Sequence, residues 1–176
     1  HPNDPYGSLK YALSQATSGD TIHIYPGVYQ EIFPMTVPAG VTVKGHSMRS
    51  VNITPTVATN SNDAFLLNGG ATIEDLTISG FYTGYAFKFA PGFVVSGNNR
   101  SPYMRNLSVI TMGSVTSAAD PRGFAQGDAG KGAYIDGAVA GATSLEATML
   151  FHSATFITPG VDAITVTNGA RVEWLN

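Results

Sequence analysis

The chain has 176 residues, 43% hydrophobic and only 12% charged, with a formal net charge of −3. That length and apolar content call for one folded domain with a core rather than a disordered segment, and no apolar run reaches the ~18 residues of a membrane span. Nine scattered Lys and Arg argue against a nucleic-acid surface, and zero cysteines remove disulfides, thiolate chemistry and Cys-based zinc sites together.

Charged residues stand at about half of the ~25% usual in soluble domains, so much of the surface is neutral. That suits a buried subunit interface or a face that meets neutral polymers such as sugars. No basic stretch followed by an apolar run marks a signal peptide.

In chain order, the first element is helical. In "GSLKYALSQATSGDT", Leu9, Ala12, Leu13 and Ala16 fall at i, i+3, i+4 and i+7, which predicts an amphipathic helix over about 8–18. Ser8 serves as its N-cap and Gly19 as its left-handed stop. Short alternating β-branched runs follow at Thr21–Ile24, Val41–Val43, Val51–Ile53 and Ile164–Val166, bounded by Gly, Pro or Asn. The chain is therefore all-β apart from one helix. His23 falls on the outer side of Ile22 and Ile24, and the four histidines make no pair at ligand spacing, so no metal is expected.

An internal repeat is visible. "DAFLLNGGATIEDL" (Asp63–Leu76) and "DAITVTNGARVEWL" (Asp162–Leu175) align without a gap. Its strand pattern recurs as Ile73–Ile78, Met104–Val109 and, more loosely, Phe151–Phe156. Irregular spacing with a retained strand pattern predicts a solenoid with variable turns, its open end covered by the helix. Stacking these copies places Glu74 near Arg105, Asp75 over Asn106 and His152 near Glu173, a column of alternating charge on an outer face.

The helix leading into "SGDTIHIYPGVYQE" and "VPAGVTVKG" resembles the N-terminal part of pectin-lyase-like proteins, over about residues 7–80. That resemblance implies a right-handed single-stranded parallel β-helix with an N-terminal capping helix. Over about 125–176, "GDAGKGAYIDG" through "ATMLFHSATFITPGVDAITVTNGARVEWLN" is similar to structural tail proteins of T4-like marine phages of cyanobacteria. The likeness implies a non-catalytic, host-contacting or structural part of a tail fibre or tailspike in the virion. A homotrimer that meets cell-surface polysaccharide, with no cofactor, nucleic acid or membrane insertion, is the matching expectation. Val172-Glu173-Trp174 belongs to the repeat itself, so the chain reads as a fragment of a longer protein or as one whose last turn a partner covers.

A polysaccharide lyase or glycoside hydrolase on the same fold is the alternative, and a bacterial surface adhesin is a third reading. Glycosidases need two carboxylates roughly 5 to 9.5 Å apart. Glu74 and Asp75 are adjacent and expected on opposite strand faces, and the acid clusters of pectate lyases and galacturonases are missing. A phosphate loop at "GDAGKGAYIDG" fails because Ala125 and Gly132 stand where Gly and Ser or Thr are required. That stretch reads instead as part of a Gly/Ala-rich excursion over 111–147 with Asp120, Arg122, Asp128 and Lys131 as its charged members. In "GFYTGYAFKFAPGF", Phe87 and Phe89 alternate inward around Lys88, while Phe81, Tyr82 and Tyr85 fall in the turn and are expected to be exposed. These seven residues (Phe81, Tyr82, Tyr85, Asp120, Arg122, Asp128, Lys131) are the candidate contacts for a glycan or a subunit, and no catalytic residue is assigned.

Overall fold

The computed structural model describes residues 6–57, 62–93, 100–112, 130–139, 147–158 and 161–175. Among these residues helix α1 (Leu9–Gln15) precedes thirteen strands: β1 (Thr21–Ile24), β2 (Gly27–Glu31), β3 (Met35–Val37), β4 (Thr42–Gly45), β5 (Val51–Pro55), β6 (Phe65–Leu67), β7 (Thr72–Ser79), β8 (Tyr85–Phe89), β9 (Tyr103–Ile110), β10 (Lys131–Asp136), β11 (Thr148–Ile157), β12 (Ile164–Thr167) and β13 (Arg171–Leu175). The chain is mostly β, and every strand pair among the described residues is parallel. A first sheet runs β1-β4-β7-β9-β11-β13, with β2 and β5 joined to it through β7; a second runs β3-β6-β8-β10-β12.

Parallel register puts like residues in rows. Ile22, Val43, Ile73, Met104, Phe151 and Trp174 form one row of the first sheet, and Ile53, Ile78, Val109 and Phe156 another. Met35, Phe65, Phe87, Ala133 and Ile164 form the matching row of the second sheet. The Phe87 ring lies 6.2 Å from Phe65 in its own sheet and 6.0 Å from Phe151 in the other, so the apolar faces meet in one core. The copies at Ile73–Ile78, Met104–Val109 and Phe151–Phe156 are in register as expected.

The longer repeat holds only in part. Phe65 and Ile164 share a row, but Glu173 pairs with Leu150, whose row runs through Tyr103 to Thr72 and not to Glu74. A two-residue slip keeps the inside–outside alternation, so packing tolerates it. It breaks the expected His152–Glu173 contact. His152 pairs with Leu175 and its Nδ1 is 2.9 Å from the Tyr103 hydroxyl, while Glu173 accepts from Arg171 Nη2 at 2.6 Å.

The expected excursion over 111–147 is narrower than its sequence indicates, because β10 is a strand of the second sheet between β8 and β12. A Cβ added to Gly132 would sit 2.1 Å from the Ala163 carbonyl oxygen and 2.5 Å from the Phe156 ring. The small residues there serve close strand approach as well as turns.

Helix α1 buries Leu9, Ala12 and Leu13, and Ser8 Oγ accepts from the Tyr11 amide at 3.1 Å. The helix stops at Ala16, which has extended backbone (φ −75°, ψ 145°), short of the expected 18. Gly19 is left-handed (φ 97°) but lies in the turn into β1, donating its N–H to Gly40 O at 3.0 Å. Glu31, 3% exposed, closes the other helix end: its Oε1 accepts from Leu9 N at 2.6 Å and its Oε2 from Lys10 N at 3.2 Å. A buried carboxylate tied to two orphan amides of the first helical turn is worth more than a neutral bond. Glu31→Ala should lower unfolding free energy in urea by about 2–3 kcal/mol, and Glu31→Gln by less. A loss no larger than that of an ordinary surface substitution would mean that Leu9 and Leu13 alone dock the helix.

Candidate functional site

The structure brings together only some of the candidate contacts. Phe81 is fully buried rather than exposed: its ring meets Phe33 edge-on at 6.2 Å, and its carbonyl accepts from Met112 N at 3.0 Å. A large apolar ring at the exit of β7 gains more from the core than from the turn. Tyr82 is half-buried in that turn. Asp120, Arg122 and Asp128 lie outside the described residues. Tyr85 and Lys131, 46 positions apart in sequence, are register partners on β8 and β10.

Lys88 and Tyr134 complete the arrangement as the next outward pair on the same two strands. The two tyrosine rings are 5.2 Å apart and inclined at 45°. Lys131 Nζ sits 5.4 Å from the Tyr85 ring centre, and Lys88 Nζ 5.8 and 5.5 Å from those of Tyr85 and Tyr134, within cation–π range. Asp63 anchors one edge: its Oδ2 is 3.1 Å from Lys88 Nζ, and its Oδ1 accepts from Tyr85 N at 2.9 Å. At the opposite edge Asp136 Oδ1 accepts from Asn168 Nδ2 at 2.7 Å and from Ala138 N at 2.9 Å. The Asn168 bond first, and the Ala138 amide next, hold the Asp136 carboxyl below the usual carboxylate range. The result is a half-buried patch of two rings, two ammonium groups and fixed acceptors, suited to gripping a hydroxyl-rich ligand by stacking and hydrogen bonds. Sequence reasoning passed over Lys88 and Tyr134. Their signal is the outward position of each between inward residues, but the Gly and Ala around 131–136 give the pattern of an excursion rather than of a strand.

A second polar cluster lies on the first sheet. Lys44, Glu74, Arg105 and His152 occupy one row, extended to His23 at the start. Buried Glu74 bridges both cations, with Lys44 Nζ 2.5 Å from its Oε1 and Arg105 Nη2 2.6 Å from its Oε2. Asp75 does not point to the opposite face as strand alternation predicted. Its backbone is left-handed (φ 60°), and its Oδ2 reaches the same Lys44 Nζ at 3.3 Å. The expected Asp75–Asn106 stack is present, with Asn106 Nδ2 donating to Asp75 Oδ1 at 2.6 Å. Hydrogen bonding to Glu74, then to Asp75, holds the Lys44 ammonium above its ordinary range, and bonding to Glu74 does the same for Arg105.

Among the described residues no three His, Asp or Glu side chains gather as metal ligands. No family model, curated sequence or solved structure matches the chain.

The Asp136 shift fixes a sign. A carboxylate whose pKa is depressed by folding adds stability above its unfolded value, 3.8, and loses it as pH falls through the lower folded value. Asp136→Asn should therefore be less stable than the parent at neutral pH, with the gap closing on acidification below 3.8. Chemical unfolding at several pH values checks this; a gap independent of pH would show that the charge of Asp136 contributes nothing.

Proposed function

We propose that the two parallel sheets wind as a right-handed parallel β-helix capped by α1. In this reading the chain is a non-catalytic, glycan-contacting part of a trimeric phage tail fibre or tailspike. The Tyr85–Lys88–Lys131–Tyr134 patch carries the proposal, since it offers stacking surfaces, donors and acceptors without a reacting group. The resemblance of residues 125–176 to cyanophage tail proteins supplies the virion setting.

The trimer is supported by a neutral outer row. Val28, Asn52, Thr77, Ser108 and Thr155 lie in register across five strands, with no charge among them, and Val28 is 70% exposed. Such a face packs against a sister chain without stranding a charge.

One observation favours the depolymerase alternative: Glu74 and Asp75 converge on Lys44. Both carboxylates are committed there, since Glu74 also holds Arg105 and Asp75 also holds Asn106. A general acid needs access to the leaving oxygen, whereas both carboxylate oxygens of Glu74 already hold a cation, Lys44 on Oε1 and Arg105 on Oε2.

Two measurements test the reading. Light scattering on a sizing column should give about three times the 18.4 kDa chain mass, and a monomer would remove the trimer. Binding to polysaccharide extracted from cyanobacterial surfaces should weaken roughly tenfold in Tyr85→Ala and persist in Glu74→Gln. Shortening of that polysaccharide by the parent protein, lost in Glu74→Gln or Asp75→Asn, would establish the enzyme instead.

A further inference from the structure

A cleft of about 470 Å³ opens between α1 and the first two strands, within the roughly 300–1,000 Å³ typical of small-molecule sites. Leu9, Ala12, Ile22 and Ile24 give it an apolar floor, and its rim carries Tyr6, Tyr25 and Tyr29 with Gln15, Thr21 and His23. It shares no residue with the Tyr85 patch.

Chemistry narrows the occupant. Among the described residues no Lys, Arg or Glu lines the cleft, so an anion meets no permanent countercharge from them. The one carboxylate among the described lining residues, Asp20, is exposed, and its Oδ2 accepts from Thr17 N at 2.7 Å and from Thr17 Oγ1 at 3.0 Å, so water screens its attraction for a cation. A fully apolar ligand would cover the amide, imidazole and hydroxyl groups of the rim without pairing them. What remains is an uncharged molecule with one apolar face and a polar edge.

The rim is built for such a molecule. Tyr25 is 73% exposed and Tyr6 50%, an unusual display of aromatic surface. Tyr11 braces the Tyr6 ring edge-on at 5.5 Å, and the Tyr29 hydroxyl donates to the Tyr25 carbonyl at 2.8 Å, so the Tyr6 and Tyr29 rings are held before a ligand arrives. A pyranose presents axial C–H groups to a ring face and hydroxyls to donors and acceptors at its edge. We infer that this cleft binds one uncharged sugar residue, independently of the Tyr85 patch.

The test is a methyl-resolved NMR titration of the full chain, labelled at Ala, Leu and Ile. The probes are the neutral methyl glycosides of glucose, galactose, mannose, fucose, rhamnose and N-acetylglucosamine, with methyl glucuronide as the charged counterpart. At least one neutral glycoside should shift the Ala12, Ile22 and Ile24 methyls saturably by tens of millimolar. Tyr25→Ala should weaken that response roughly tenfold, because Tyr25 contributes its backbone carbonyl to the fold and its ring to the cleft. His23→Ala, at another exposed side chain, should weaken it as well, and Tyr85→Ala should leave it unchanged. The inference is overturned if no neutral glycoside moves these methyls, or if the glucuronide binds as well as the neutral sugars. It is equally overturned if Tyr25→Ala and His23→Ala both keep full affinity, or if Tyr85→Ala abolishes the response.

Discussion

Everything in this molecule follows from parallel strands stacked in register, which gives each side chain a near-copy of its own position on the next strand. Inside, that constraint is favourable: Ile73, Met104 and Phe151 sit on one another, and aromatic rings bridge the sheets from Phe65 through Phe87 to Phe151. Rows of apolar residues bury continuous surface, and each strand contributes only if its neighbours are present. Helix α1 fits the same logic. It lays Leu9 and Leu13 on the end of the core and is fixed by the buried Glu31 carboxylate.

Outside, the same constraint is costly unless managed, because equal charges in adjacent strands would repel. The solution is visible in the row Lys44–Glu74–Arg105, where one buried acid lies between two cations. Next to it, Asp75, Asn106 and Ser153 take left-handed backbone at the same place in three successive strands (φ 60°, 48° and 50°). Asn and Asp tolerate that conformation better than other residues with a Cβ. The neighbouring position on β4 is Gly45, where a Cβ would lie 2.2 Å from the Asp75 carbonyl oxygen. A bend shared by three successive strands preserves the stacking that a bend in one would break.

Features set by periodicity were legible in the sequence; those set by a break in periodicity were not. The apolar stripe of α1, the inward Phe87 and Phe89 and the Glu74–Arg105 contact all follow from spacing. Asp75 was misplaced because one left-handed residue turns its side chain out of strand alternation. The His152–Glu173 pairing failed because a two-residue slip is invisible to a gapless alignment yet harmless to the core. Phe81 was misread because turn residues look exposed in sequence, whereas the core claims a large ring at a strand end. Tyr134 and Lys88 were missed for a related reason: glycine and alanine around 131–136 resemble a loop, but at Gly132 the missing Cβ is what lets β10 dock.

That last break also explains why the patch stands where it does. In β8 two consecutive residues, Ala86 and Phe87, are both buried, and in β10 so are Gly132 and Ala133. Each doubled inward pair pushes the flanking residues outward together, so Tyr85 and Lys88 emerge on one strand and Lys131 and Tyr134 on the next. Register then sets Tyr85 beside Lys131 and Lys88 beside Tyr134, crossing a ring with a cation at both places. Two adjacent strands with the same irregularity thus make a polar square that regular alternation would have dispersed over a wider face. The cleft at α1 arises from a comparable interruption, since a helix covers the end of the core where another strand would have continued the rows. In both places, departure from the stacking rule opens a surface able to meet something other than the next strand.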